Sequence, residues 1–168
     1  MHMETDRLVI REFAMEDLRD LYEILGDEET MANCEPAYSM EKTADFLGDF
    51  CINRKGALAA AQKQSGKVIG YILFHEFESG VYELGWFFNR AYWKNGYAFE
   101  AGKAVTDYAF DSLHAHKIFA ETVDGMKSVP LMEKLGMKRE GLQRSQTRTP
   151  DGAWADLYLY GILPEDRR

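Results

Sequence analysis

The chain has few cysteines and prolines and no long apolar run. Its 168 residues include two cysteines and four prolines. Cys34 and Cys51 have no C-x-x-C spacing and no paired histidines nearby, so the sequence supports neither a zinc site nor a disulfide framework. No stretch approaches the roughly 20 apolar residues of a membrane-spanning helix, and the N-terminus lacks the apolar core of a signal peptide. We therefore expect a cytoplasmic protein with no metal and no membrane partner.

Basic residues are the minority among the charged ones. Twenty lysines and arginines stand against 28 aspartates and glutamates, which gives a net charge of −8. This balance disfavours binding to a nucleic-acid backbone and mildly favours a cationic partner. The 46% of hydrophobic residues is enough to close one core at this length, so we expect a single domain over residues 1–168. We interpret residues 1–3 as a cloning remnant and leave His2 out of the predicted fold.

The spacing of apolar residues predicts strands and helices in a mixed order. Alternation predicts strands, and apolar residues every three or four positions predict helices. Ser39 is a plausible N-cap for the second helix. The predicted order is strand 7–11, helix 16–25, a helix after Ser39, strands 57–63, 68–76 and 81–88, helix 97–113, strand 118–123, helix 128–135 and two strands around the turn at 149–152. The class is α+β.

The segment between Trp86 and Ala98 joins a buried strand to the long helix. Gly96 allows a tight turn there, and the first N–H groups of a helix have no partner within it. Together with the positive end of the helix dipole, these groups suit a pyrophosphate. The alternative is a helix start with a glycine for the bend, and this motif alone does not decide between the two.

Four blocks of the sequence, in order, resemble the GCN5-related N-acetyltransferases (GNAT family), in particular the branch that modifies ribosomal-protein N-termini. The blocks are TDRLVIR at 5–11, YELGWF at 82–87, YW, GYA and EA within 92–101, and S with EKLGM within 128–137. The resemblance covers essentially the whole chain. It implies the GNAT fold, a mixed and mostly antiparallel sheet of about seven strands with flanking helices, splayed at the fourth and fifth strands.

The resemblance also implies acetyl-CoA as the co-substrate and a set of residues that bind it. Backbone groups of one strand would hold the pantetheine arm, and amides of the glycine turn would hold the pyrophosphate. Lys94 would add a charge to a phosphate or simply be solvated. The expected cofactor-binding residues are Trp86, Phe87 and Phe88 for the pantetheine, Lys94, Asn95, Gly96, Tyr97, Ala98 and Phe99 for the pyrophosphate, and Ser128 near the thioester.

For the general base we expect Glu83. Alternation with Leu84 and Trp86 places it on the strand that leads to the cofactor, close to an arriving amine. The alternative is an exposed strand residue paired with a neighbouring cation. Weaker candidates for the base lie on adjacent strands: His75, Glu76, Glu121 and Asp156.

The proton donor for the leaving thiolate departs from the commoner pattern. Met132 stands where many relatives have a tyrosine, and it cannot donate a proton. The ribosomal-protein branch is thought to use a serine at the start of the same helix, and Ser128 matches that position. Ser128 is also an ordinary helix N-cap. Gly125 replaces the family's asparagine three residues earlier, which alters the contacts at the carbonyl end of the cofactor.

These features favour an acetyltransferase that moves acetyl from acetyl-CoA to a primary amine by direct attack in a ternary complex. The acceptor is the N-terminal α-amine of a protein or peptide, or a small amine; aromatic residues such as Tyr38 and Tyr71 either line its groove or belong to the core. A homodimer is possible. The alternative is a CoA-binding sensor or assembly module without transfer, motivated by Gly125 and Met132. A relative that modifies nucleic acid is disfavoured by the acidic balance.

Overall fold

The computed structural model describes residues 1–167. It contains eight strands and four α-helices. The strands are β1 (His2–Glu4), β2 (Leu8–Glu12), β3 (Ala57–Gln62), β4 (Val68–Glu78), β5 (Val81–Phe88), β6 (Lys117–Thr122), β7 (Lys138–Arg148) and β8 (Trp154–Ile162). The helices are α1 (Leu18–Leu25), α2 (Met40–Phe46), α3 (Tyr97–Asp111) and α4 (Ser128–Lys134), with a π-helical continuation of α2 over Leu47–Asn53. The predicted mixture of strands and helices is confirmed.

All eight strands form one sheet in the order β1-β2-β3-β4-β5-β6-β8-β7. Only β5 and β6 run parallel; the other neighbours are antiparallel. This is the mixed, mostly antiparallel sheet that the resemblance implies. The count differs from about seven, because His2–Glu4 forms an additional edge strand in which Met3 lies opposite Ile10. Leaving His2 out of the fold was wrong, since it pairs with Arg11 in an edge strand, which needs backbone pairing rather than an apolar pattern.

The sheet separates two hydrophobic cores. Leu84 and Phe88 of β5 pack with α3 and α4 on one face, which we call the α3 face. Tyr71 of β4 and Phe87 of β5 pack with α1 and α2 on the other, which we call the α1 face. The division follows from the strand geometry, because successive side chains of a strand point to opposite faces. Each residue of β5 is therefore assigned to one side of the sheet.

Candidate active site at the divergence of two parallel strands

The parallel strands β5 and β6 separate along their length. Their pairing ends where Glu83 lies opposite Phe119, although β5 continues to Phe88. Beyond that point β6 remains paired with β8 as far as Thr122. A wedge-shaped gap therefore opens between β5 and β6. These are the fourth and fifth strands of the predicted order, so the predicted splay is present.

Two residues of β5 direct their backbone groups into this gap. Asn89 N–H donates to Ile69 O on the β4 side at 2.9 Å. Neighbouring residues of a strand turn their backbone groups to opposite sides, so Phe88 and Trp86 turn theirs towards β6. The Phe88 carbonyl is taken by the Trp93 indole N–H at 2.7 Å. By the same alternation Phe87, opposite Tyr71 in the register, turns its backbone groups to β4.

The turn that follows β5 exposes a row of backbone N–H groups. Lys94 has φ 62° and Gly96 has φ 80°, and α3 begins directly afterwards at Tyr97. Within residues 1–167, the N–H groups from Lys94 to Phe99 donate to no protein acceptor. The Asn95 side chain steadies the turn by donating to the carbonyl oxygens of Tyr92 and Trp93. Left-handed residues next to a helix start are a geometry that gathers N–H groups around an anion.

An ion pair between Arg7, which is partly exposed, and Glu100, which is partly buried, fixes this turn to the start of the chain. Glu100 accepts hydrogen bonds from Thr5 Oγ1 at 2.6 Å, Arg7 N at 2.9 Å and Arg7 Nε at 2.7 Å. Arg7 also donates to Asn95 O at 2.9 Å. Partial burial opposes ionisation of Glu100, but the hydrogen bonds from Thr5 and Arg7 outweigh it and lower its pKa. Sequence reasoning assigned no role to this pair, although opposite charges in two blocks of the resemblance were a usable signal.

Cationic side chains surround the turn. The Arg7 guanidinium lies 4.2 Å from the centre of the Tyr97 ring. Lys127 Nζ lies 4.7 Å from the Trp93 ring and Lys134 Nζ lies 4.1 Å from the Phe99 ring. Lys94 itself is exposed. In a protein of net charge −8, this concentration of cations favours a polyanionic ligand at the turn.

Helix α4 follows β6 and packs in the core on the α3 face. Ser128 is the first residue of α4, and the loop before it is capped by Asp124, whose Oδ1 accepts from the N–H groups of Met126 and Lys127 at 2.9 Å each. The expectation that Ser128 serves as the N-cap is therefore wrong. Among the described residues, its hydroxyl has no hydrogen-bond partner. Met132 is 2% exposed within the core.

Gly125 lies against a tyrosine hydroxyl. A Cβ at this position would come within 3.2 Å of Tyr158 Oη. An asparagine, the residue that many relatives have here, therefore would not fit unless Tyr158 moved. The ring of Tyr158 from β8 therefore occupies space that a larger side chain at Gly125 would need.

The candidates for the general base differ in their position on the sheet and in their hydrogen-bond partners. Glu83 and Glu121 lie on the α1 face where β5 and β6 diverge, because their neighbours Leu84 and Ala120 belong to the α3 core. Glu83 is 22% exposed and its Oε2 is hydrogen-bonded to His75 Nε2 at 2.9 Å. Two effects raise the pKa of Glu121: its carboxyl group is partly shielded from water, and the negative charge of Glu83 is nearby. The other two accept backbone hydrogen bonds: Glu76 from Gly80 N–H at the β4–β5 turn, and Asp156 from Ser145 N–H at an irregularity within β7.

An aromatic contact lies beside this site. The exposed Phe77 packs edge-on against Phe119 with ring centres 5.5 Å apart, on the same face as Glu83.

The described part of the chain contains no cluster of three or more histidine, cysteine, aspartate or glutamate side chains suited to a metal ion. Nor does any helix in residues 1–167 have the length and apolar character needed to cross a membrane.

Known proteins share this sequence and this fold. Residues 7–138 match the family model described as an acetyltransferase (GNAT) domain. An N-acetyltransferase of Bacillus subtilis, YnaD, is 34% identical over 170 residues, which cover 99% of each chain. The crystal structure of a GNAT-family acetyltransferase from Bacillus anthracis has a TM-score of 0.88 and 30% identity, covering 98% of this chain and 99% of that one. The chain belongs to the GNAT acetyltransferase family.

More distant structures share the fold. The spermidine N-acetyltransferase of Vibrio cholerae, solved with CoA and spermine, has a TM-score of 0.84 at 21% identity, covering 96% of this chain and 98% of that one. Ribosomal-protein acetyltransferase structures from Vibrio fischeri and Vibrio cholerae are also among the structural neighbours, at 20% and 18% identity. The fold that the resemblance implies is confirmed.

Proposed function

We propose that this GNAT-family chain, as a single domain over residues 1–168, binds acetyl-CoA at the β5–β6 gap and transfers its acetyl group to a primary amine by direct attack in a ternary complex. The observation that carries the proposal is the row of free N–H groups from Lys94 to Phe99 beside that gap. A helix start of this kind binds a pyrophosphate. The residues fit the cofactor, because cations surround the turn and the strands leave space for an extended arm.

The cofactor arm would continue from this turn into the gap. The N–H groups of Trp86 and Phe88 face the space that β6 leaves, so they offer strand-like hydrogen bonds to the pantetheine amides. Phe87 contributes through its side chain, which closes the opposite face of the sheet beside Tyr71 at 5.9 Å between ring centres. A backbone N–H near Phe88 would also stabilise the oxyanion that forms on the thioester carbonyl.

We assign the general base to Glu83. The amine must lose a proton before or during its attack on the thioester carbonyl. Freeing a lysine-type ammonium of pKa ~10.4 at pH 7 costs roughly 4–5 kcal/mol, whereas an α-amine near pKa 8 costs about 1 kcal/mol. Glu83 lies at the mouth of the gap with His75 holding its carboxylate, so it is positioned to take that proton. Either an N-terminal α-amine or a small amine meets this requirement.

We assign protonation of the leaving thiolate to Ser128. Its hydroxyl is not used as a cap, since Asp124 holds the preceding amides. A thiol of pKa ~8.5 leaves with little assistance, so a hydroxyl that donates a hydrogen bond to the sulfur is sufficient. Met132 is buried and does not take part. We keep the cytoplasmic location and a possible homodimer as predictions.

Calorimetric titration with acetyl-CoA and desulfo-CoA tests the cofactor site. We expect both to bind, and we expect Gly96→Glu to abolish binding because its carboxylate would occupy the anion position. Gly66→Glu is the matched control: Gly66 also has a positive φ of 73° and nothing lies within 4 Å of its Cβ position. It therefore carries the same backbone strain in the turn between β3 and β4, outside the row of N–H groups from Lys94 to Phe99.

The two variants separate strain from ligand contact. Equal loss of binding in Gly96→Glu and Gly66→Glu would contradict the proposed pyrophosphate site. If the wild type binds acetyl-CoA but releases no thiol with N-terminal peptides or small amines, the protein is instead a CoA-binding module.

A further inference from the structure

Lys127 belongs to a small group of lysines that have no acidic partner. Within residues 1–167, every lysine except Lys94, Lys127 and Lys134 forms an ion pair with a carboxylate. The three exceptions lie together, because Lys94 is part of the turn before α3, and the other two reach the rings of Trp93 and Phe99 beside it. In a chain of net charge −8, carboxylates are abundant. The positive charge at this one place therefore remains available to an anionic ligand.

The two lysines of this group that flank α4 differ in their relation to the helix. Lys134 is in the last turn of α4, where a cation complements the negative end of the helix dipole. Lys127 directly precedes α4, at the end where the dipole is positive, so the helix does not favour its charge. The charge of Lys134 thus has a structural explanation, whereas that of Lys127 has none within its own helix. Residues that break a local rule in this way are expected at functional sites.

Lys127 lies where the β5–β6 gap meets the turn. Its Nζ is 4.7 Å from the centre of the Trp93 ring. The indole N–H of Trp93 donates to the carbonyl oxygen of Phe88, the last residue of β5, at 2.7 Å. The residue after Trp93 is Lys94, which begins the row of free N–H groups. In acetyl-CoA the pyrophosphate joins the pantetheine arm to the nucleotide, so it is the anion that would occupy this junction.

We propose that Lys127 binds the pyrophosphate of acetyl-CoA, as a charged contact beside the row of N–H groups. This assignment rests on the proposed function. The backbone N–H groups are neutral donors that set the direction of the phosphate oxygens, whereas the ammonium group neutralises part of their charge. Trp93 supports the Lys127 side chain by offering the face of its ring to the ammonium group. Loss of Lys127 should therefore weaken the binding of every acyl donor that carries the pyrophosphate.

The test is calorimetric titration of Lys127→Gln with acetyl-CoA and with its 3′-dephospho form. Both ligands carry the pyrophosphate, but only acetyl-CoA carries the 3′-phosphate. We expect the Kd of both to rise by the same factor, about tenfold, which is the effect of one lost hydrogen bond to a charged group. The difference from the wild type should shrink as salt is added, because the contact is exposed. Lys127→Arg keeps the charge and should retain most of the affinity.

Lys103→Gln is the matched control, because it removes the same charge from an exposed lysine of α3 that pairs with Asp107. It should leave both Kd values near those of the wild type. Three results would overturn the assignment alone: equal losses in Lys127→Gln and Lys103→Gln, a loss confined to acetyl-CoA, which would point to the 3′-phosphate, or unchanged binding of both ligands to Lys127→Gln. A wild type that binds neither ligand would overturn the proposed function and the assignment with it.

Discussion

The two sides of the β5–β6 gap are built from different parts of the chain. The proposed cofactor turn is made of consecutive main-chain N–H groups, held by Arg7 and Glu100. The proposed acceptor side is made of side chains from three strands, which are His75 of β4, Glu83 of β5, and Phe119 and Glu121 of β6. A main-chain site depends on backbone shape, whereas a side-chain site depends on the register that brings separate strands together.

This difference explains what each side tolerates. At the turn, the N–H groups from Lys94 to Phe99 remain available whichever side chains these residues carry, as long as the backbone shape is kept. On the acceptor side, a change of one side chain alters the charge or hydrogen bonding seen by its neighbours directly. Substitutions on this side should therefore affect catalysis more than cofactor binding. Substitutions at the turn should affect cofactor binding more than catalysis.

The largest effect should come from Glu83→Gln. An amide is isosteric with the carboxylate but takes no proton, so we expect kcat to fall by roughly 10²–10⁴-fold while acetyl-CoA affinity stays the same. Glu78→Gln is the matched control, since Glu78 is an exposed glutamate of β4. Steady-state rates and calorimetry check both variants. An unchanged kcat in Glu83→Gln would move the base to another residue.

An intermediate effect is expected from Glu100→Gln, which tests the cofactor side. Glu100 is 17% exposed and accepts charge-assisted hydrogen bonds from Arg7, so the free energy of unfolding should fall by about 1.5–3 kcal/mol. Acetyl-CoA binding should weaken as the turn loosens. Asp107→Asn on the same helix weakens exposed pairs with Lys103 and Arg167 and should cost less than about 1 kcal/mol. Denaturant titration of both variants measures the two losses in the free energy of unfolding.

The stability difference at Glu100 should also depend on pH. The folded-state pKa of Glu100 is lowered, so its contribution is fully present above the unfolded pKa and is lost as the pH falls through the folded pKa. Wild type and Glu100→Gln should therefore converge in stability in acid. A constant difference down to the acid transition would contradict the assigned role of the ionised carboxylate.

The smallest effect is electrostatic coupling within the acceptor side. Shielding from water and the charge of Glu83 raise the pKa of Glu121. Removing that charge in Glu83→Gln should lower the Glu121 pKa, as followed by carboxyl-carbon NMR titration of the cofactor-free protein. Glu78→Gln should leave it unchanged. No change in Glu83→Gln would mean that the two carboxylates do not face each other across the divergence of the strands.

Local sequence features predicted much of this molecule because they act over short distances. The alternation of β5, the periodicity of α3 and Gly96 at its start depend on neighbours within one or two turns. Ser39 illustrates a local signal that was correct, since its Oγ accepts from Lys42 N–H. The order of elements and the location of the turn could therefore be predicted from these patterns together with the resemblance.

The errors have physical causes outside any local window. The edge strand β1 exists through pairing with β2 and has no apolar pattern of its own. The position of Ser128 at the start of α4 suggested an N-cap, but it is Asp124 that accepts hydrogen bonds from the N–H groups of the loop before this helix. Phe87 was grouped with Trp86 and Phe88, and the direction of its backbone groups is set by the register with β4.

Local sequence patterns were enough to predict the kinds and order of the elements from β2 onwards and the glycine turn, because hydrogen bonding and side-chain spacing within an element are local. The pairing of Arg7 with Glu100 and the facing carboxylates of Glu83 and Glu121 depend on the tertiary structure. Each of these joins residues far apart in the chain, and their meeting depends on strand register and on how the helices cover the two faces of the sheet.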